Sequence, residues 1–233
     1  MNDTSIHSAD TSVPPRTLFP LTRHLSCRLT PVLLRWPVTP NQITLVSLLL
    51  GVFGAVLFSI GTHAAGICGG LLLVACFTLD NCDGEVARTK NLASEFGARL
   101  DDITDSIVDT CFFAALGYGT FRSSGQVWWL WLGLAAAFGA AFDYLVDLAM
   151  RAREKQGNTA TSRHRQAINS KRPRSRVDWI IFIFKELSRA DFPLIILALA
   201  LFDITWLLLP FAAVGAQIYW VSDLFERSRG YHA

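Results

Sequence analysis

Apolar residues in this chain gather into long runs separated by short polar breaks, rather than alternating with polar residues. The stretch 43–60 carries no charged side chain and approaches the ~20 residues needed to cross a hydrocarbon layer. A second apolar run, 65–79, contains Gly66, Gly69 and Gly70, small residues that let helices approach closely, and ends at Asp80. A third helix is predicted from near Ser94 through Ile103, Ile107, Phe112 and Phe113 to Tyr118. A fourth covers 127–150, with Trp128, Trp129 and Trp131 at its start, where an interfacial aromatic belt would lie. Two closely spaced apolar helices, 192–202 and 204–225, bring the spans to six. Ahead of them all, Leu18, Leu21, Leu25, Leu29 and Val32 recur at helical spacing with Arg23, His24, Arg28 and Arg35 between them. That pattern predicts a helix lying in the membrane interface, cut off from the first span by Pro37 and Pro40.

The expected fold is therefore all-α: a polytopic membrane protein with six transmembrane helices preceded by an interfacial amphipathic helix. Residues 1–16 read as a disordered tail and 17–36 as the interfacial helix. A six-helix membrane domain, 37–229, includes a basic loop at 151–189 and precedes a short tail, 230–233. Composition agrees, since 52% of the 233 residues are hydrophobic. Net charge is only +2, so the placement of the basic residues carries more information than their sum. Eleven of the 21 Lys and Arg residues fall in 151–189, and only Arg122 falls in the segments that an inside N-terminus would place outside. Both termini are thus expected in the cytosol, with no nucleic acid as partner. No removable signal peptide and no internal repeat are evident, and the five cysteines, without C-x-x-C spacing, read as small buried hydrophobes.

Chemistry concentrates between the second and third spans, in LDNCDGEVARTKNLASEFGARLDDITDS. Asp80 and Asp83 are three residues apart, Asp101 and Asp105 four, so each pair projects from one face of its helix. Carboxylates crowded at the ends of adjacent apolar helices repel unless a cation sits between them. Oxygen donors without His or Cys suit Mg2+, Mn2+ or Ca2+ rather than zinc. Gly84 and Gly97 would let a base or phosphate near the backbone, and Arg88 offers a forked donor to phosphate. Metal ions together with an arginine form a clamp for displacement at phosphorus.

This segment resembles the class I CDP-alcohol phosphotransferase (CDP-alcohol phosphatidyltransferase) family. Its signature, D-x-x-D-G-x-x-A-R-x8-G-x3-D-x3-D, is matched at Asp80, Asp83, Gly84, Ala87, Arg88, Gly97, Asp101 and Asp105 without departure. Pro40, Asn41 and Thr44 at the opening of the first span are similar to the family as well. The resemblance implies transfer of a substituted phosphate from a CDP-linked lipid, CDP-diacylglycerol, to a small alcohol with release of CMP. It implies two Mg2+ or Mn2+ ions held by Asp80, Asp83, Asp101 and Asp105, with Asp105 also taking the acceptor's proton. Gly84, Ala87, Arg88 and Gly97 would line the site for the CDP moiety. A homodimer with its active site on the cytosolic face of a bacterial inner membrane is implied too.

The wording around Asp83 is closest to the inositol-phosphate branch, whereas Ser106 is seen beside aminoalcohol acceptors. A polyol phosphate acceptor is the expectation, with aminoalcohols, serine or glycerol phosphate as alternatives. Asp102 and Asp109 stay outside the core site; Asp143 and Asp147 are expected to pair with Arg151, with acceptor contacts as the alternative; Asp191, with Arg189, resembles family members acting on inositol phosphates but reads equally as an ordinary helix-opening aspartate. An ion-coupled transporter would show discontinuous helices in paired repeats, and a prenyltransferase-like enzyme two separate Asp-rich motifs; neither pattern is present.

Overall fold

The computed structural model describes residues 21–156, 191–215 and 217, and among them every regular element is helical. Helix α1 is Leu21–Leu34, α2 Pro40–Phe58, α3 His63–Thr89, α4 Glu95–Ser124, α5 Trp128–Gln156 and α6 Phe192–Leu201. Helix α7, Thr205–Gly215, opens on a 3-10 turn at Thr205–Leu207. The tails, residues 157–190 with most of the basic loop, and the end of the last expected span lie outside the described residues.

Helix α2 begins where the proline requires: Pro40 sets its own φ in the first turn, and the Gln42 side chain accepts the Thr39 N–H at 2.9 Å. Its buried positions are mostly small or polar, among them Thr44, Ser47, Gly51, Gly54 and Ala55, while Leu45, Leu49, Phe53 and Val56 are exposed. This inverts the pattern of a soluble helix and suits a helix that meets lipid on one side and close-packed neighbours on the other. The close packing is at backbone level. A Cβ on Gly69 of α3 would stand 2.8 Å from the Gly54 carbonyl oxygen of α2, and one on Gly117 of α4 would stand 2.6 Å from Cα of Gly133 on α5.

Between these contacts lies an apolar core of Ala55, Leu73, Val108, Phe112, Ala136, Ile196 and Leu209. Phe112 is at its centre, edge-on to Phe58 at 5.2 Å and to Phe192 at 6.3 Å, so α2, α4 and α6 share one aromatic cluster. Helices α2, α3 and the Trp128–Ala149 part of α5 are long and apolar enough to cross a membrane. Helix α4 matches them in length but carries Asp101, Asp102, Asp105 and Asp109 in its first half, and α6 and α7 are shorter apolar helices.

Two local features refine the sequence reading and two depart from it. Helix α3 continues past its apolar run to Thr89, so Asp80 and Asp83 share one helix as their spacing implies, and Asp83 and Glu85 are paired with neighbouring helices. Helix α1 turns a polar stripe inward: Thr22, Ser26 and Thr30 are buried while Leu21, Leu25 and Val32 are exposed. Of the tryptophans opening α5, Trp129 is buried edge-on against Trp206 at 5.5 Å, and only Trp128 and Trp131 are exposed. Cys76 and Cys82 are buried as expected but Cys68 is exposed, on an apolar helix face that tolerates it.

Candidate metal and phosphate site

The signature is divided between the end of α3, with Asp80, Asp83, Gly84, Ala87 and Arg88, and the start of α4, with Gly97, Asp101 and Asp105. Residues 90–94 reverse the chain between them. Asn91 takes a left-handed conformation with φ of 55°, the Leu92 N–H bonds the Ala87 carbonyl at 2.8 Å, and the Asn91 N–H bonds that of Arg88 at 3.3 Å. This is the paired closure that ends many helices, with asparagine in the place more often taken by glycine. Ser94 then caps α4, its Oγ accepting the Gly97 N–H at 3.0 Å.

The reversal brings one carboxylate oxygen from each of Asp80, Asp83 and Asp101 within 4.8 Å of one another. Asp83 is buried and accepts the hydroxyl of Thr44 from α2. Asp101 Oδ1 is buried and has no hydrogen-bond partner among the described residues. An orphaned carboxylate oxygen beside two further carboxylates is costly, and a hard divalent cation with oxygen coordination would satisfy it. The donor set therefore fits the implied metal. Asp105, one turn along α4, is half-buried and within electrostatic range of Asp80 and Asp101, but it is not part of the three-oxygen group.

Around the carboxylates, the Arg88 guanidinium lies over Gly84, with Nη1 3.3 Å from where a Cβ would stand. A Cβ on Gly97 would meet Ser94 Oγ at 3.2 Å and Asn41 Oδ1 at 3.3 Å. Both signature glycines thus border polar groups, and Ala87 lies half-buried between the glycine and arginine positions.

Several further residues hold the hairpin in place. Glu85, two residues past Asp83, is buried and accepts hydroxyls from Ser26 at 2.9 Å and Thr30 at 2.6 Å, both on α1. The Lys90 ammonium donates to the carbonyls of Trp36 at 3.1 Å and Val38 at 2.9 Å in the α1–α2 connection. Sequence reasoning missed Glu85 and Lys90, and it noted Thr44 only as part of a family motif. The available signal was a small polar residue in an otherwise apolar run, which needs a polar partner when buried.

Arg151 pairs as expected with Asp147, Nε to Oδ2 at 2.6 Å, and also donates to Asp102 across the α4–α5 interface. Its hydrogen bond to Asp102 raises the guanidinium's already high pKa. Asp191 departs from expectation. It opens α6 without capping it; its side chain accepts the N–H groups of Leu21 and Thr22 at 3.0 and 3.1 Å, so it caps α1.

Residues 37–216 match the family model described as CDP-alcohol phosphatidyltransferase. The bifunctional IPC transferase and DIPP synthase of Aquifex aeolicus is 38% identical over 120 residues, 52% of this chain and 26% of that protein. The phosphatidylinositol phosphate synthase of Corynebacterium glutamicum is 38% identical over 101 residues, 42% of this chain and 40% of that protein. The chain thus spans about a quarter of the length of the bifunctional relatives it matches. Among solved structures, the Mycobacterium tuberculosis phosphatidylinositol phosphate synthase in apo form aligns with a TM-score of 0.53 and 22% identity, over 85% of this chain and 95% of that one. The same enzyme with CDP-DAG bound aligns equally well, with a TM-score of 0.53 over 84% and 91% of the two chains. The fold is therefore shared with these structures, and the match over residues 37–216 makes the chain a member of the CDP-alcohol phosphatidyltransferase family.

Proposed function

We propose that this protein transfers a substituted phosphate group from CDP-diacylglycerol to the hydroxyl of a polyol phosphate, inositol phosphate foremost, releasing CMP. The acceptor oxygen attacks the phosphorus that bears the lipid, a new P–O bond forms, and the bond from that phosphorus to the oxygen shared with CMP breaks. The observation that carries this reading is the convergence of Asp80, Asp83 and Asp101 around an oxygen of Asp101 that has no partner among the described residues.

In this reading Asp80, Asp83, Asp101 and Asp105 would hold Mg2+ or Mn2+, two ions when fully loaded. Bound there, such ions supply charge neutralisation for the diphosphate and the leaving CMP. Asp105 stands one turn from Asp101 and accepts the proton of the attacking hydroxyl. Arg88, over the bare backbone of Gly84, meets phosphate charge, and Ala87 and Gly97 complete the border of the nucleotide site. A six-span arrangement with both termini in the cytosol, a site at the cytosolic face of a bacterial inner membrane and a homodimeric assembly belong to the same proposal. The phosphatidylinositol phosphate synthases among the relatives favour the inositol-phosphate acceptor.

The test is CMP release from purified protein with CDP-diacylglycerol and Mg2+ or Mn2+, across inositol phosphate, glycerol phosphate, serine and aminoalcohols. Chelator-sensitive release with inositol phosphate is the expected result. Release with an aminoalcohol alone would move the acceptor to the branch that Ser106 resembles. No release with any acceptor or CDP-alcohol donor would sink the reading.

A further inference from the structure

Two buried carboxylates hold the polar face of α1. Asp191, at the start of α6, takes the N–H groups of Leu21 and Thr22 and the Thr22 hydroxyl, the last at 3.2 Å. One and two turns further on, Glu85 of α3 takes the hydroxyls of Ser26 and Thr30. Thr22, Ser26 and Thr30 are spaced four apart, so they form one stripe, and each is at most 4% exposed. A buried carboxylate needs its oxygens satisfied, and here α1 supplies the donors on both oxygens of Glu85.

Glu85 and Asp83 are two positions apart on one helix, about 200° around its axis, so they point to nearly opposite sides. Asp83 is fixed by Thr44 of α2 and Glu85 by α1, which grips the end of α3 from both sides. We propose that Glu85 is a positioning residue: through the Ser26 and Thr30 hydroxyls, α1 sets the rotation of the α3 end and hence the aim of Asp80 and Asp83 at the cation. Glu85 touches neither cation nor substrate in this role. The inference rests on reading the aspartate group as a metal site, and it makes α1 part of that site's support rather than only a membrane-surface helix.

The test uses the full chain in lipid nanodiscs, with hydrogen–deuterium exchange of the α1 amides and Mn2+ affinity by electron paramagnetic resonance. Glu85→Ala should speed exchange in α1 and weaken Mn2+ binding by about tenfold, the size expected when the support of a ligand is lost. Ser26→Ala with Thr30→Val, made on the other helix, should do the same. Adding Glu85→Ala to that pair should weaken binding by less than about twofold more, because all three changes remove one contact. Glu85→Gln, which keeps an acceptor and the shape, should stay within about threefold of the native affinity.

Rapid α1 exchange with unchanged Mn2+ affinity would overturn the coupling, and unchanged exchange would overturn the clasp. A Glu85→Gln variant as weak as Glu85→Ala would overturn the positioning role in favour of a direct charge effect. If the native protein binds no Mn2+, the metal reading fails before any variant is made, and this inference fails with it.

Discussion

Thr44 on α2 donates its hydroxyl to the carboxylate of Asp83 on α3, a buried bond between a helix with no charged residue and the helix that carries five of the eight signature residues. Thr44 Oγ1 also lies 3.1 Å from the Pro40 carbonyl oxygen, an alternative acceptor in its own helix for the same hydroxyl proton. Thr44→Val keeps the shape and removes the donor. A hydrogen bond to a charged group contributes about 1.5–3 kcal/mol, so turnover at limiting Mg2+ should fall by roughly ten- to a hundredfold, while Thr44→Ser retains most of it. Initial rates of CMP release across a Mg2+ titration check this.

Asp101→Asn should act on the metal more than on the fold. The native carboxylate has an oxygen without a partner among the described residues, which a cation would satisfy and an amide would not. Thermal stability without added metal is therefore expected to hold or rise, and the Mn2+-induced rise in unfolding temperature expected of the native protein should be absent from the variant. A variant still stabilised by Mn2+ would take Asp101 out of the ligand set.

Asp105→Asn should separate binding from chemistry. Donor binding, followed with a CDP-diacylglycerol analogue, should stay near the native level, while kcat drops by about 10²–10⁴, the usual contribution of a positioned base. Equal losses in binding and turnover would instead favour a ligand role without proton transfer.

Arg151, bridging Asp102 and Asp147, is predicted to matter little for stability. All three side chains are substantially exposed, and ion pairs of this kind contribute about 0–1 kcal/mol. Because Asp102 raises the arginine's pKa, the charged form contributes stability below the unfolded-state value and loses it only as pH rises through the folded-state value, both far above neutrality. Arg151→Gln should shift the unfolding midpoint by at most a few degrees, with no dependence on pH between about 6 and 9. Thermal denaturation at several pH values measures both.

Gly133→Ala should do more damage than its size suggests. The added Cβ would fall 2.6 Å from Cα of Gly117 and 2.8 Å from the Phe113 carbonyl oxygen, so α4 and α5 must separate. Overpacking of this kind costs about 1–3 kcal/mol, and the variant should unfold at lower temperature in detergent with its Mn2+ affinity largely kept.

The sequence made the long helices and the aspartate group legible for different reasons. Uncharged runs report helices that meet lipid directly, and the spacing of Asp80, Asp83, Asp101 and Asp105 reports which carboxylates share a helix face. What stayed hidden was polar pairing over long separations. Asp191 caps a helix that begins 170 residues earlier, and Glu85 bonds side chains 59 and 55 residues away. No local window contains both partners. The stripe on α1 is hidden for a second reason, since its hydroxyl residues stand among conspicuous leucines that face outward.

The turn at Asn91 leaves no slack between the two halves of the signature. With only residues 90–94 between α3 and α4, and with Leu92 bonded back to Ala87, the two helix ends form a stiff hairpin rather than two independently mobile arms. On the proposed function, any widening that admits a two-tailed donor would have to come from elements packed against the hairpin, such as α2. Lengthening the turn by even a few residues would uncouple the two carboxylate groups while leaving every signature residue in place.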